Sequence, residues 1–343
     1  MLASLLKKLF SAKKQLSSFP ERTPIKKTRK FQITLNQRAL KHQRLKKRTA
    51  ELWKWIQVDT GVQSDVMLRR LATALNSLKR IQTFHIIYWR CRITDSGLYH
   101  LSNSLRKLVL LRNLSIMITE CLQITDRALY HLGESLKRLC CLENLTLNFR
   151  SCLKITDEGV LNVSRSLKGL ACLHKISVSF SVCPQIKDLG VNHLSKGLKN
   201  LKGLRFISLD FSNCIQITDK GLKSIAETLK RLGNLQSINL KFLSCGKISD
   251  VGLRHLSQGL ASVRFLKEIT MKFSWCSLMT DKGLGVLARS MGKLKTLEEV
   301  GLWFFECLGI TKVGQEEARE ALKKVKKAKL EFPKKGDRGV EEF

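Results

Sequence analysis

The sequence has no long apolar run and is short of acid. Nothing in its 343 residues approaches the roughly 18 consecutive apolar residues that a membrane-spanning helix needs. Asp and Glu total 28 against 62 Lys and Arg, a net charge of +34. Such an excess excludes no fold, but it favours acidic partners, nucleic acid or an anionic membrane surface. The catalytic signatures are also missing: there is no P-loop, no G-x-S-x-G and no H-E-x-x-H. Gly283-Leu284-Gly285-Val286-Leu287-Ala288 matches a dinucleotide fingerprint by letters alone, without the strand–turn–helix context that gives it meaning. The 11 cysteines contain no C-x-x-C pair, the local spacing that zinc and dithiol chemistry require. No cofactor or metal is expected, and nothing points to an enzyme.

The cysteine count is odd and the chain is long, so the thiols read as reduced groups in a cytoplasmic or nuclear protein rather than as a disulfide scaffold. The N-terminus, MLASLLKKLFSAKKQLSSF, is basic, amphipathic and free of acid until Glu21. It fits a basic arm on a soluble protein. A mitochondrial targeting peptide is the second reading, although such peptides favour Arg and this one uses Lys.

Length alone suggests two or three ordinary domains, but self-similarity overrides that prior. Cysteines stand at 91, 121, 152, 183, 214, 245, 276 and 307, a step of 31 after one of 30. Aspartates follow the same rhythm at 65, 95, 126, 157, 188, 219, 250 and 281, and phenylalanines at 149, 180, 211, 242, 273 and 304. Three columns sharing one period define a repeat. In the unit from Leu142, Leu145, Leu147 and Phe149 alternate with Thr146, Asn148 and Arg150, the period of a strand with one buried face. From Asp157 the spacing changes to threes and fours through Val160, Val163, Leu167 and Leu170, a helix stripe. Thr156 and Asp157 occupy the helix start, where a side-chain oxygen can cap free amides and an anion complements the dipole. The predicted fold class is α/β: a solenoid of about eight 31-residue repeats, with parallel strands on the concave face and helices on the convex face. No unit can bury its faces alone; stacking makes the core continuous.

The predicted organisation is a basic N-terminal arm with a cap over 1–60, the solenoid over 61–330, and a disordered tail over 331–343. Trp55-Ile56-Gln57-Val58 reads as a degenerate capping strand. Lys312 replaces the repeat Asp at the far end, and no strand is expected after the last helix.

CLQITDRALYHL (121–132), CLKITDEGVLNV (152–163) and CIQITDKGLKSI (214–225) resemble the cysteine-containing leucine-rich-repeat family. The resemblance covers about residues 65–330. It implies a horseshoe like that of ribonuclease inhibitor, and protein recognition of the kind F-box/leucine-rich-repeat proteins perform for SCF ubiquitin ligases. The unit here is longer, by an extra Phe-x-x before the Cys that lengthens the strand. The basic 20–60 stretch lacks the apolar pattern of an F-box.

The repeated side chains invite chemical readings, and each has a plainer one. The Cys ladder suits buried turns beneath a strand, while Cys140, Cys141 and Cys172 lie outside it and Cys140 is expected to be the exposed thiol. The Asp ladder reads as helix capping. His100, His131, His193 and His255 share one helix position, and helices about 8–10 Å apart hold imidazoles too far apart to chelate.

Binding is expected on the concave wall. Its first half is small and hydroxyl-rich; its second carries Lys241, Lys272, Trp303 and Phe305. Cations and aromatics anchor interfaces, so the predicted partner-binding residues are Arg150, Asp210, Lys241, Lys272, Trp303 and Phe305. The alternative for Trp303 and Phe305 is that they seal the last repeat. Residues 1–60 hold 16 Lys and Arg and 3 acids, and further cations, such as Lys137-Arg138, Lys199 and Lys230-Arg231, are expected on the convex side.

The expected function is therefore a non-enzymatic scaffold that recognises a protein partner, with an SCF substrate receptor as its sharpest form. The alternative is RNA or another polyanion bound by the arm and convex face, in a ribonucleoprotein setting. The chain is expected to be monomeric.

Overall fold

The computed structural model describes residues 32–35, 64–78 and 80–332. Nine helix-then-strand units follow one another: α1 (Asp65–Leu75) and β2 (Thr83–Trp89), α2 (Asp95–Leu105) and β3 (Asn113–Thr119), α3 (Asp126–Leu136) and β4 (Asn144–Asn148). They continue as α4 (Asp157–Leu167) and β5 (Lys175–Ser179), α5 (Asp188–Leu198) and β6 (Phe206–Asp210), α6 (Asp219–Leu229) and β7 (Ser237–Lys241). The last three are α7 (Asp250–Leu260) and β8 (Glu268–Lys272), α8 (Asp281–Gly292) and β9 (Glu299–Trp303), α9 (Lys312–Leu322) and β10 (Lys327–Glu331). Strands β2 to β10 pair in parallel and in chain order. The result is one open sheet along the concave wall of a horseshoe, with the helices outside it.

Both ends depart from the sequence reading. A first strand, β1 (Gln32–Leu35), pairs antiparallel with β2 and covers its edge. The capping strand expected at Trp55–Val58 lies outside the described residues. At the other end a strand does follow the last helix. β10 pairs with β9, and Phe332 extends the phenylalanine column, its ring 6.3 Å from that of Phe304. The unit preceding it spans 28 residues rather than 31 from Phe304 to Phe332, which hid it from a fixed period.

Three layers of identical contacts hold the repeats in register. Phe149, Phe180, Phe211, Phe242, Phe273 and Phe304 are fully buried, with neighbouring rings 5.7 to 6.2 Å apart and within 29° of parallel. Fully burying one such ring stabilises by about 2–3 kcal/mol. Each ladder thiol from Cys152 onward donates to a main-chain carbonyl of the preceding repeat, as Cys214 Sγ does to Phe180 O at 3.2 Å. Burial pushes the Cys152, Cys214 and Cys276 thiols up to about 12, and that of Cys307 to about 11. The residue before each ladder Cys adopts a left-handed conformation, including the β-branched Val182 (φ 59). Such a conformation is costly for a side chain with two heavy atoms on Cβ. It is held because the Val182 N–H donates to Ser212 O at 2.7 Å in the next repeat.

The aspartate ladder corrects the capping expectation. Six of the nine helices are capped by the preceding Thr or Ser, as Thr218 Oγ1 accepts the Lys220 N–H, while the Asp reaches forward to the next repeat. Asp219 Oδ1 accepts the Ser249 and Gly252 N–H groups at 2.8 and 2.9 Å, and Oδ2 accepts the Ser249 hydroxyl at 2.7 Å. The same hydroxyl and amide contacts link Asp65 to Thr94, Asp95 to Thr125 and Asp281 to Thr311. The glycine two residues after most of these aspartates is required by closeness: a Cβ on Gly252 would stand 2.6 Å from Asp219 Oδ1. Lys312 takes the Asp position in the last unit, after which no further helix follows among the described residues.

Candidate partner-binding surface

The side chains that face inward along the strands are mostly half-buried, with Lys175 and Glu268 exposed, and they alternate with buried core residues. Strand register places Asp210 beside Lys241, Lys241 beside Lys272, Lys272 beside Trp303 and Trp303 beside Glu331. Lys272 Nζ lies 4.7 Å from the Trp303 ring centroid. From the next strand Lys329 Nζ lies 5.4 Å from the same ring. A tryptophan face between two ammonium groups is a strong cation–π arrangement. Gly301 makes it fit, since a Cβ there would meet the Trp303 ring at 2.4 Å.

Lys241, Lys272 and Trp303 thus come together as the sequence implied, with Asp210 at the margin. Asp210 Oδ1 accepts the Ser212 N–H at 3.0 Å, which fixes its carboxylate toward its own turn. Phe305 stands beyond the end of β9, half-buried, its carbonyl accepting the Trp275 N–H at 2.7 Å. Arg150 belongs elsewhere. It follows β4, five strands from β9, about 24 Å away at ordinary strand spacing. Its carbonyl accepts the Glu120 N–H at 2.8 Å.

Two groups of residues escaped the sequence reading. Lys329 was missed with β10, although Ala328, Leu330 and Phe332 repeat the alternation of the other strands. At the N-terminal end, Ile87 and Met117 sit side by side on the concave wall near Trp89. Trp89 donates to Glu120 Oε1 at 3.0 Å, and Arg90 pairs with the same carboxylate. Burial alone would raise Glu120, but these donors and the nearby arginines hold it below the usual carboxylate range.

The other candidates stay apart. Among the described residues no three His, Cys, Asp or Glu side chains gather as a metal site. No described helix is long and apolar enough to cross a membrane. Tyr99 bridges the histidine column by an edge contact to His131 at 4.9 Å, and desolvation by burial lowers His131 and His193. Cys140 and Cys172 are exposed and Cys141 is half-buried.

Residues 206–226, which span β6, its turn and the start of α6, match the family model described as Leucine Rich repeat. The nine stacked helix–strand units in one parallel sheet, one of which carries that match, have the architecture of a leucine-rich-repeat solenoid. No curated protein matches the chain. Among solved structures, the chain is similar to the Caenorhabditis elegans tropomodulin C-terminal domain (15% identity, TM-score 0.36, 49% of this chain and 91% of that one). It is also similar to a chain of the yeast Rad7 and Elc1 complex (16% identity, TM-score 0.32, 85% of each chain).

Proposed function

We propose that this leucine-rich-repeat solenoid is a non-enzymatic recognition scaffold that holds a protein partner against the C-terminal half of its concave wall. The observation that carries this reading is Trp303, half-buried between Lys272 and Lys329 over Gly301. The competing role for Trp303, sealing the last repeat, is already filled: β10 pairs with the outer edge of β9 and Phe332 stacks on Phe304. An amphipathic ring beside the Lys272 ammonium, with Lys329 held by Glu331, suits a partner segment that pairs a carboxylate with an apolar side chain.

Affinity capture of the full chain, with and without nuclease and over a salt series, tests the proposal. The expected result is a protein partner that survives nuclease and is lost with Lys272→Glu or Trp303→Ala but kept when residues 1–60 are deleted. Cullin-ligase subunits in the capture would extend the reading to an SCF substrate receptor. Loss of every partner on nuclease treatment would overturn it.

A further inference from the structure

The charge of the solenoid is gathered on one edge. The segments that return the chain from helix to strand are 106–112, 137–143, 168–174, 199–205, 230–236, 261–267, 293–298 and 323–326. They hold 18 Lys and Arg and two Glu. The loops on the opposite edge, 90–95, 120–126, 151–157, 182–188, 213–219, 244–250, 275–281 and 306–312, hold six Lys and Arg and nine Asp and Glu. Lys137, Lys199 and Lys230 are helix C-cap residues, so the cations expected on the convex side stand at this edge. A cation at a helix C-terminus also complements the dipole. That accounts for the C-cap lysines but not for Lys202, Arg205, Arg264 and Lys267, which lie past the helix ends and are exposed. Among the described residues no carboxylate pairs with any of these four; the edge's cross-repeat ion pairs lie toward its ends, at Arg112–Glu143 and Lys326–Glu298.

In the middle of this stripe is a cleft of about 400 Å3, lined by His174, Gly203, Arg205, Asn234, Gln236 and Phe265. It spans four successive repeats. Phe265 is 56% exposed, unusual for a phenylalanine with no covering element. Asn234 Nδ2 donates to Lys202 O at 2.9 Å, which fixes the amide at the cleft wall. Gly203 leaves the floor open, because a Cβ there would find nothing nearer than 3.6 Å. The cleft therefore offers an aromatic face, a planar guanidinium and two amides, flanked by lysines.

We propose that this return edge binds single-stranded nucleic acid, with one unstacked base in the cleft and the phosphates along the cation stripe. Stacking platforms interleaved with a basic track are what single strands require. Asn and Gln amides read the edges of splayed bases. An acidic protein or an anionic bilayer would use the cations but brings no flat ring to stack on the exposed Phe265. A duplex keeps its bases stacked and unavailable to it. The edge is separate from the concave wall, so this inference and the recognition scaffold stand or fall independently.

Fluorescence anisotropy with the full chain tests it, using labelled oligo-U RNA and oligo-dT DNA of about 16 nucleotides, within single-strand site sizes. The two arms tell an RNA ligand from a DNA ligand. Lys202→Glu with Arg205→Glu is expected to weaken binding at least tenfold and to flatten the salt dependence. Phe265→Ala and Gly203→Leu are each expected to weaken it about tenfold with the salt slope unchanged. Gly203 has room for a Cβ, and a thermal melt matching the parent's separates a filled cleft from misfolding. The proposal is overturned if neither oligonucleotide binds, or if Phe265→Ala and Gly203→Leu bind as the parent does. It is equally overturned if poly-glutamate or phosphatidylserine vesicles compete as well as RNA does. Binding that survives charge reversal on the edge also overturns it, by assigning the contact to other cations.

Discussion

Replacing Asp219 by Ala should uncouple two repeats, because its carboxylate serves the next unit rather than its own helix. The change removes two amide contacts, to Ser249 and Gly252, and one hydroxyl contact to Ser249. Hydrogen bonds to a charged group contribute about 1.5–3 kcal/mol each when buried. These are only partly buried, and solvent screening reduces them, so the expected loss is about 3 kcal/mol at that interface. Repeat arrays need not unfold in one step, so amide hydrogen exchange is the appropriate assay. A loss of that size accelerates exchange at Ser249 and Gly252 on the order of a hundredfold. Ser249→Ala removes the hydroxyl contact and the cap to Val251 N–H, at a cost of about 1–2 kcal/mol. The double variant should then fall short of the sum by about 1 kcal/mol. If exchange quickens only at the start of α6, around Lys220 and Leu222, or the two changes simply add, the inter-repeat account is wrong.

Other outcomes follow from the same geometry. Cys140, Cys141 and Cys172 should react with a thiol reagent in the folded protein at neutral pH, and the buried ladder thiols only after unfolding. The raised ladder thiols contribute stability that is full below about pH 9 and falls as pH rises toward 12, because the unfolded chain then releases protons that the folded thiols keep. Each such thiol contributes at most about 1.4 kcal/mol per pH unit to that slope, so Cys214→Ala should flatten alkaline denaturation curves; an unchanged slope would contradict the burial argument. Val182→Gly should stabilise by about 0.5–1 kcal/mol by relieving a β-branched side chain from its left-handed backbone, whereas Asn213→Gly should change little. Equal effects in thermal melts would remove strain as the explanation. Phe211→Ala should cost about 4 kcal/mol, since its ring is fully buried between Phe180 and Phe242; a loss near 1 kcal/mol would mean the column repacks.

Much of the architecture was readable because one period runs through Cys, Asp and Phe together, and because Leu145, Leu147 and Phe149 keep strand spacing where Val160 and Val163 keep helix spacing. What stayed hidden was whatever depends on a neighbouring repeat. The position of Asp219 is visible in the chain, but its acceptor role toward Ser249, 30 residues on, is not. β10 was hidden by a shortened last unit, and Lys329 with it, so half of the cation pair on Trp303 had no signal at a fixed period. Arg150 shares the inward-facing alternation with Lys272 in the chain, yet stacking separates them by four strands and Arg150 lies past the end of β4. The return edge was invisible for a different reason: its cations fall at turn positions that no amphipathic pattern assigns to a face.

The most direct test of recognition by the concave wall is a photocrosslinking scan of the full chain. A photoreactive residue would be placed at Asn239, Lys241, Thr270 or Phe305, and at the convex controls Lys223 and Gln258. Crosslinks from the concave positions to one protein species, lost with Trp303→Ala and absent from the controls, are the predicted result. Crosslinks of equal yield from both faces, or none from the concave positions while the partner is still bound, would contradict it.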